Sequence, residues 1–392
     1  MQTPTNHYDI AKVREAFPVL KKFYYLNVGT YGVMPEPALN EFIAIQIDSE
    51  HGSRRNNANN PWTRTEDTRR QIAALIGAVP EEIAFTRNAT DGINLVLAGI
   101  DWKPGDEVIT TAQEHEAMNH PLLYLQKTKG IKARFVEVSP EPQVMLARIQ
   151  SVYNSKTRLI AMSFITCETG IRLPAKEICA WAAEHNLLTL FDGAQATGAF
   201  SVNVRELGCD FYASNGHKWL CGPKGTGIFF VKKEKVDVLS PAHVGAGSLE
   251  KVDLATGQAD PWMTAQRFEF GTRAWSLTAG LGCSLSWFDS LGWKNVYDYI
   301  ASLTGYFKQR ILERSYLQLL TPDEFEKSSG LTSFVINGRI AGEASRTLWE
   351  KSKMMVRVIP HYNAIRISTA HFVSEQDIDK LMEALDSIHN EG

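Results

Sequence analysis

The sequence predicts an α/β fold, with a large domain built on a mostly parallel, helix-covered sheet and a smaller α+β domain at its C-terminus. Two observations carry this. From Ile83 to Val231, short strand-like and longer helix-like segments alternate, the pattern of a sheet wrapped by helices. Beyond about Trp275 the rhythm changes to long helices interrupted by a few strands, which marks a second body. The predicted division is an N-terminal arm over 1–24 packing with the small domain, a large domain over 25–275 and a small domain over 276–392.

Along the chain, residues 9–20 read as a helix with Asp9 as N-cap, and Phe23 to Leu26 as a short strand entering the turn-rich Asn27-Val28-Gly29-Thr30-Tyr31-Gly32. A helix over Pro61 to Ile76 follows. Strands are expected at 83–86, 107–110, 133–138, 158–164, 187–191, 211–213 and 227–231, and helices at 92–98, 121–127 and 176–185. The C-terminal body holds helices over 277–288 and 295–314, strands at 332–336, 355–359 and 364–368, and a last helix capped by Ser374.

With 44% apolar and 22% charged residues and a formal charge of -3 over 392 residues, the chain gives no electrostatic reason to bind nucleic acid or an acidic membrane. No apolar stretch approaches the ~20 residues of a membrane span, and Met1 to Asp9 lack an apolar leader core, so a cytoplasmic location is expected. The five cysteines, Cys167, Cys179, Cys209, Cys221 and Cys283, have no Cys-x-x-Cys spacing, so neither a disulfide framework nor a zinc site is signalled.

The chemistry concentrates at strand ends. Asp192 closes the apolar strand Leu187 to Phe191, and Lys218 follows the next strand in Ser214-Asn215-Gly216-His217-Lys218-Trp219. A lysine amine can bond covalently to an aldehyde cofactor while a neighbouring carboxylate holds a pyridinium proton, so the pair predicts pyridoxal 5'-phosphate (PLP). Gln195, one turn past Asp192, can reach the cofactor's phenolic oxygen. In Arg87-Asn88-Ala89-Thr90-Asp91-Gly92, small residues open a helix where backbone N-H groups and Thr90 can meet a phosphate; the plainer reading makes Asn88 or Thr90 an N-cap. His115 and His120 are five apart, which puts them on different helix faces and speaks against a metal pair; an imidazole stacked on the pyridine and an ordinary surface histidine are even alternatives for His115. Gly222 to Gly227 reads as a turn and Phe270 to Arg273 as a loop. Arg366 alternates with apolar neighbours on its strand, so it is either a solvated residue or a clamp for a substrate carboxylate.

In this order the pieces resemble the class V aminotransferase and cysteine desulfurase group of PLP enzymes over nearly the whole chain, which implies fold type I with a seven-stranded-type sheet. The resemblance implies Lys218 as the cofactor-bearing catalytic lysine. It also implies Ala89, Thr90, Asn215 and His217 at the phosphate, His115 on the ring, Asp192 and Gln195 on its nitrogen and phenolate oxygen, and Asn27 and Arg366 on the substrate. Thr272 is expected to reach the phosphate from a partner subunit, giving a homodimer with interface active sites. Desulfurases usually carry a serine where this chain has Asn215, with Ser214 one residue back, and an asparagine where it has Cys167.

Desulfurases also attack sulfur with a cysteine on a loop just before the carboxylate-binding strand. Lys353 to Ile365 offers Met354, Met355 and His361 but no thiol. The chain therefore resembles the L-cysteine/L-cystine C-S lyase branch of the group. That implies β-elimination to pyruvate, ammonia and persulfide or sulfide, a sulfur acceptor as a further partner, and sulfur supply to iron-sulfur cluster assembly. Cystine suits elimination better than cysteine, because a persulfide is the better leaving group. An aminotransferase or epimerase on the same scaffold, and a catalytically silent binding protein, are the alternatives. Arg54, Arg55, Asn57 and Trp262 are further candidates for the substrate pocket.

Overall fold

The computed structural model describes residues 8–52 and 60–391. Its central sheet has seven strands: β1 Ile83–Thr86, β2 Glu107–Thr111, β3 Lys132–Val136, β4 Thr157–Ser163, β5 Leu188–Asp192, β6 Phe211–Asn215 and β7 Gly227–Val231. Their spatial order is β1-β7-β6-β5-β4-β2-β3. Only β7 runs against its neighbours, so β1 to β6 share one direction and their carboxyl ends share one edge. The chain order reverses across β2, and ligands of open α/β sheets collect beyond the carboxyl edge at such a reversal. Strands β6 and β7 are buried along their whole length because helices cover both faces, which explains the apolar run Ile228 to Val231 in β7 and Phe211 to Ala213 at the start of β6.

The helix Pro61–Ile76 has a clean local explanation. Asn60 accepts from the backbone of Trp62 and Thr63, Pro61 needs no N-H in the first turn, and Gly77 takes the left-handed exit at φ 71°. It packs on Trp275–Leu291, as does Glu36–Glu50. The second sheet is antiparallel, in the order β8 Leu317–Leu319, β9 Leu331–Ile336, β11 Ala364–Ser368, β10 Arg357–Ile359. Ser374 and Asp377 form the capping box of the last helix, Glu375–Asn390.

The N-terminal segment lies on the C-terminal body. Tyr8 donates to the carbonyl of His371 (2.7 Å), Arg14 pairs with Asp377, and Tyr24–Tyr25 runs parallel to Met354–Met355. The helix expected to Leu20 is shorter, Ile10–Glu15, because Pro18 opens a separate 3-10 turn. The helices Glu36–Glu50, Pro142–Val152 and Ala341–Ser352 and the hairpin Leu249–Asp253/Gln258–Pro261 have no counterpart in the sequence reading. No helix among the described residues is long and apolar enough to cross a membrane.

Candidate active site

Asp192 ends β5 beside Ser163 on β4 and Ala213 on β6. It is 5% exposed, its Oδ1 accepts from Ala194 N (2.9 Å), and no ion pair reaches it among the described residues. Burial pushes its pKa up, opposed in part by Lys218. Such a carboxylate gains from a cationic ring N-H. Glycine follows it for a steric reason: a Cβ on Gly193 would lie 1.9 Å from the Tyr212 ring.

Lys218 sits in a closed turn. Gly216 N donates to Thr226 O, Gly222 N to Gly216 O, and Gly32 N to the carbonyl of His217 at 2.6 Å. Cys221 adopts a left-handed φ of 52° to complete it. A Cβ on Gly32 would lie 2.2 Å from the Lys218 carbonyl, so the N-terminal loop approaches this backbone as only glycine permits. The Lys218 amine has no hydrogen-bond partner among the described residues. Desolvation lowers its pKa, partly offset by Asp192.

The two readings of the first turn resolve geometrically. Asn88 caps the helix Ala89–Gly99 through Asp91 N (2.9 Å). The N-H of Ala89, expected to face an anion, instead donates to Asn215 Oδ1 (2.9 Å). Thr90 is exposed at the cleft, and His217, whose Nδ1 lies 3.4 Å from Thr226 O, lines it too. Of the alternatives at the end of β6, Asn215 faces the cleft, whereas Ser214 Oγ turns away to the Gly193 carbonyl (3.1 Å).

His115 is exposed, but it lines the cleft and is not free in its loop. Its Nδ1 caps Glu116–Lys129 by accepting from Ala117 N (3.0 Å), which leaves the ring proton on Nε2, and partial desolvation in the cleft together with the Lys218 charge lowers its pKa. Gln195 is held at both ends, donating to Gly29 O (2.8 Å) and accepting from Trp219 Nε1 (3.1 Å).

Arg366 overturns the solvated alternative. Both faces of β11 are covered, and Arg366 is only 4% exposed. It donates to the carbonyl of Cys167 and, at 3.5 Å, to Thr30 Oγ1, while its Nε has no partner and no carboxylate pairs with it among the described residues. Desolvation lowers its pKa to about 10. A buried guanidinium short of acceptors is a receptor for a carboxylate.

Lys218, Thr90, His115, Gln195, Asn215 and Arg366 line one cleft of about 420 Å³, which continues into an inner recess of about 40 Å³ floored by Asp192 and Ala89. The donor set fits PLP: an unpaired amine, a buried carboxylate, a helix start and no direct Asp192–Lys218 ion pair to occupy the space between them. Two residues expected in this cleft fall elsewhere, and Thr272, expected at a partner subunit's site, also lies outside it. Asn27 does not line the cleft but accepts from Thr30 Oγ1 (2.9 Å), so Thr30 is the group presented. Thr272 lines a separate cavity with Phe85, Phe270 and Trp275. Trp262 is at the hairpin end, where its N donates to Ser248 O; Arg54, Arg55 and Asn57 lie outside the described residues. The sequence reading missed Glu114 and Arg357 as lining residues and left Cys167 without a place in the cleft.

The profile of the Aminotransferase class-V family matches residues 45–381. The chain is 29% identical to a cysteine desulfurase of Cronobacter sakazakii over 97% of its length and 98% of that protein. It is also 29% identical to a probable cysteine desulfurase 2 of Mycobacterium leprae, over 90% and 87%. Among solved structures it is similar to the cystine C-S lyase C-DES in complex with its reaction product cysteine persulfide, with a TM-score of 0.85 at 27% identity over 94% and 98% of the two chains. A C-DES variant with glycine covalently linked to its PLP cofactor has the same TM-score.

Proposed function

Because the chain belongs to the class-V aminotransferase family of PLP enzymes, we propose that it is a carbon-sulfur lyase that eliminates the β-sulfur group of L-cystine or L-cysteine, giving pyruvate, ammonia and persulfide or sulfide. The observation that carries this reading is the state of the thiols around the cleft. Residues 353–365 contain no cysteine. Among the described residues one cysteine lines the cleft, the half-buried Cys167, and desolvation keeps it a neutral thiol by pushing its pKa up to about 11. A thiol without its anion is a poor nucleophile toward substrate sulfur, so expulsion of the sulfur is favoured over transfer to the protein.

Bound PLP supplies an electron sink for the pair left at Cα. The protein supplies the rest. Arg366 holds the substrate carboxylate, Lys218 in its neutral form accepts the Cα proton, and Asp192 holds the proton on the ring nitrogen. Lys218 is suited to this because burial lowers its proton affinity. A homodimer fits the exposed position of Thr272 outside its own chain's cleft. The released sulfur, passed to an acceptor, is suited to iron-sulfur cluster assembly.

Cystine is the preferred substrate in this reading. Arg357 stands directly opposite Arg366 in the antiparallel β10-β11 pair, and both line the cleft. Like charges facing each other across a sheet are unfavourable unless an anion offsets them, and cystine brings a second carboxylate. Arg357→Ala is expected to raise KM for cystine roughly fivefold to tenfold, about the contribution of a half-exposed charge-assisted contact, and to leave KM for cysteine nearly unchanged. Equal effects on both substrates would remove Arg357 from the distal contact.

Incubating the PLP-loaded protein with cystine, cysteine and other amino acids tests the activity. Pyruvate with stoichiometric persulfide or sulfide is expected. Keto-acid exchange without pyruvate would make it a transaminase, inversion at Cα an epimerase, and alanine with protein-bound persulfide a desulfurase.

A further inference from the structure

Glu114 is a buried carboxyl that the reaction scheme above leaves unused. It follows β2 in the chain, and both its oxygens accept from Ser163 N (3.0 and 2.9 Å). Ser163 Oγ (2.5 Å) and Thr111 Oγ1 (2.7 Å) also donate to it, and its own carbonyl accepts from Asn119 Nδ2 (2.9 Å). Ser163 is the residue that pairs in register with Asp192. Two carboxyls therefore lie beneath the cleft on either side of Ser163 at the end of β4, Glu114 in the turn after β2 saturated with donors and Asp192 at the end of β5 nearly bare. The other charged or titratable groups lining the cleft are His115 and Glu116 on the adjoining helix start, and Cys167, Lys218 and Arg366 across it. Glu168, His217 and Arg357 complete that lining.

We propose that Glu114 is a positioning residue that fixes the His115 turn to the end of β4 and places a second negative charge beneath the ring end of the cofactor site, strengthening the hold of Asp192 on the ring-nitrogen proton. The donors around Glu114 serve an ionised carboxylate, whereas a purely structural tie would need no charge here. Burial, with Asp192 contributing, pushes its pKa up to about 7, so the charge is present above neutrality and absent below it. A nearby negative charge raises the proton affinity of every group around it.

The test is a pH titration of the visible absorbance band of the lysine-bound cofactor, without substrate. Above neutrality, Glu114→Gln should lose this band about one pH unit lower than the unaltered protein, the size expected for one unit charge at partly buried range. Glu114→Asp, which keeps the charge, should restore most of the difference. Ser163→Ala, which removes one donor and keeps the backbone contact, should shift the band the same way but less. An unshifted band in Glu114→Gln, or equal shifts in the Gln and Asp variants, would overturn the proposal. If Glu114→Gln fails to fold, an unshifted Ser163→Ala titration overturns it.

Discussion

Replacing Lys218 by alanine is expected to leave a folded protein that still takes up PLP and to reduce pyruvate formation from cystine by at least about four orders of magnitude. The retained binding follows from the remaining contacts: Asp192, Asn215, Gln195 and the helix start at Ala89 are untouched by the change. The loss follows from two roles removed together, the covalent link and the base for the Cα proton. General-base catalysis alone contributes about 10²–10⁴-fold, and loss of the covalent partner adds to it. Because the Lys218 amine makes no hydrogen bond among the described residues, its removal leaves no buried group orphaned, so a thermal melt should change little. Bound cofactor released by acid, counted beside the pyruvate assay, separates lost chemistry from lost binding. Undiminished pyruvate production would end the assignment of Lys218.

The second large effect belongs to Arg366. Arg366→Ala should lower kcat/KM by about 10²–10³-fold, mostly through KM, because a buried fork-to-carboxylate contact is worth roughly 3–4 kcal/mol and forms with the substrate already in its ground state. Arg366→Lys should recover only part of this, since an ammonium keeps the charge but cannot meet both carboxylate oxygens in one plane. Stability is the control. Arg366 is buried with its Nε unpaired and no ion pair to a carboxylate among the described residues, so the folded protein without substrate carries a desolvation penalty that the alanine variant escapes. Steady-state kinetics with cystine beside a denaturation curve should show a large kinetic loss without a matching loss of stability. Parallel losses in both would make Arg366 a structural residue.

The parts of the site legible in the sequence are those with local signals. Asp192 and Lys218 each follow an apolar strand, and the cap residues Asn88 and Ser374 stand next to the helices they begin. The strand-helix alternation that predicted a mostly parallel sheet needs only neighbouring residues to be read. What stayed hidden depends on partners distant in the chain. Glu114 is one polar residue in a polar loop until Ser163, 49 positions later, donates three hydrogen bonds to it. Arg366 alternates with apolar residues as a surface arginine would, and only the covering of β11 on both faces reverses that reading.

Secondary structure was lost for similar reasons. Glu36–Glu50 exposes Leu39, Ile43 and Ile47 while burying Ala38 and Ile45, so its apolar residues do not form one stripe. The hairpin Leu249–Pro261 is exposed along most of its length and carries no inward-facing pattern for a sequence to show.

In the proposed reading, the two groups that would set an amino acid's position come from different sheets, the cofactor-bearing Lys218 from a turn after β6 and Arg366 from β11. Under that reading their separation would work as a ruler. A molecule whose amine and carboxylate share one carbon would span it, while a homologue with a carbon inserted between them would overshoot and a simple amine would leave Arg366 without its carboxylate. Selection for α-amino acids would then reside in the gauge set between the two sheets, before any side chain is read.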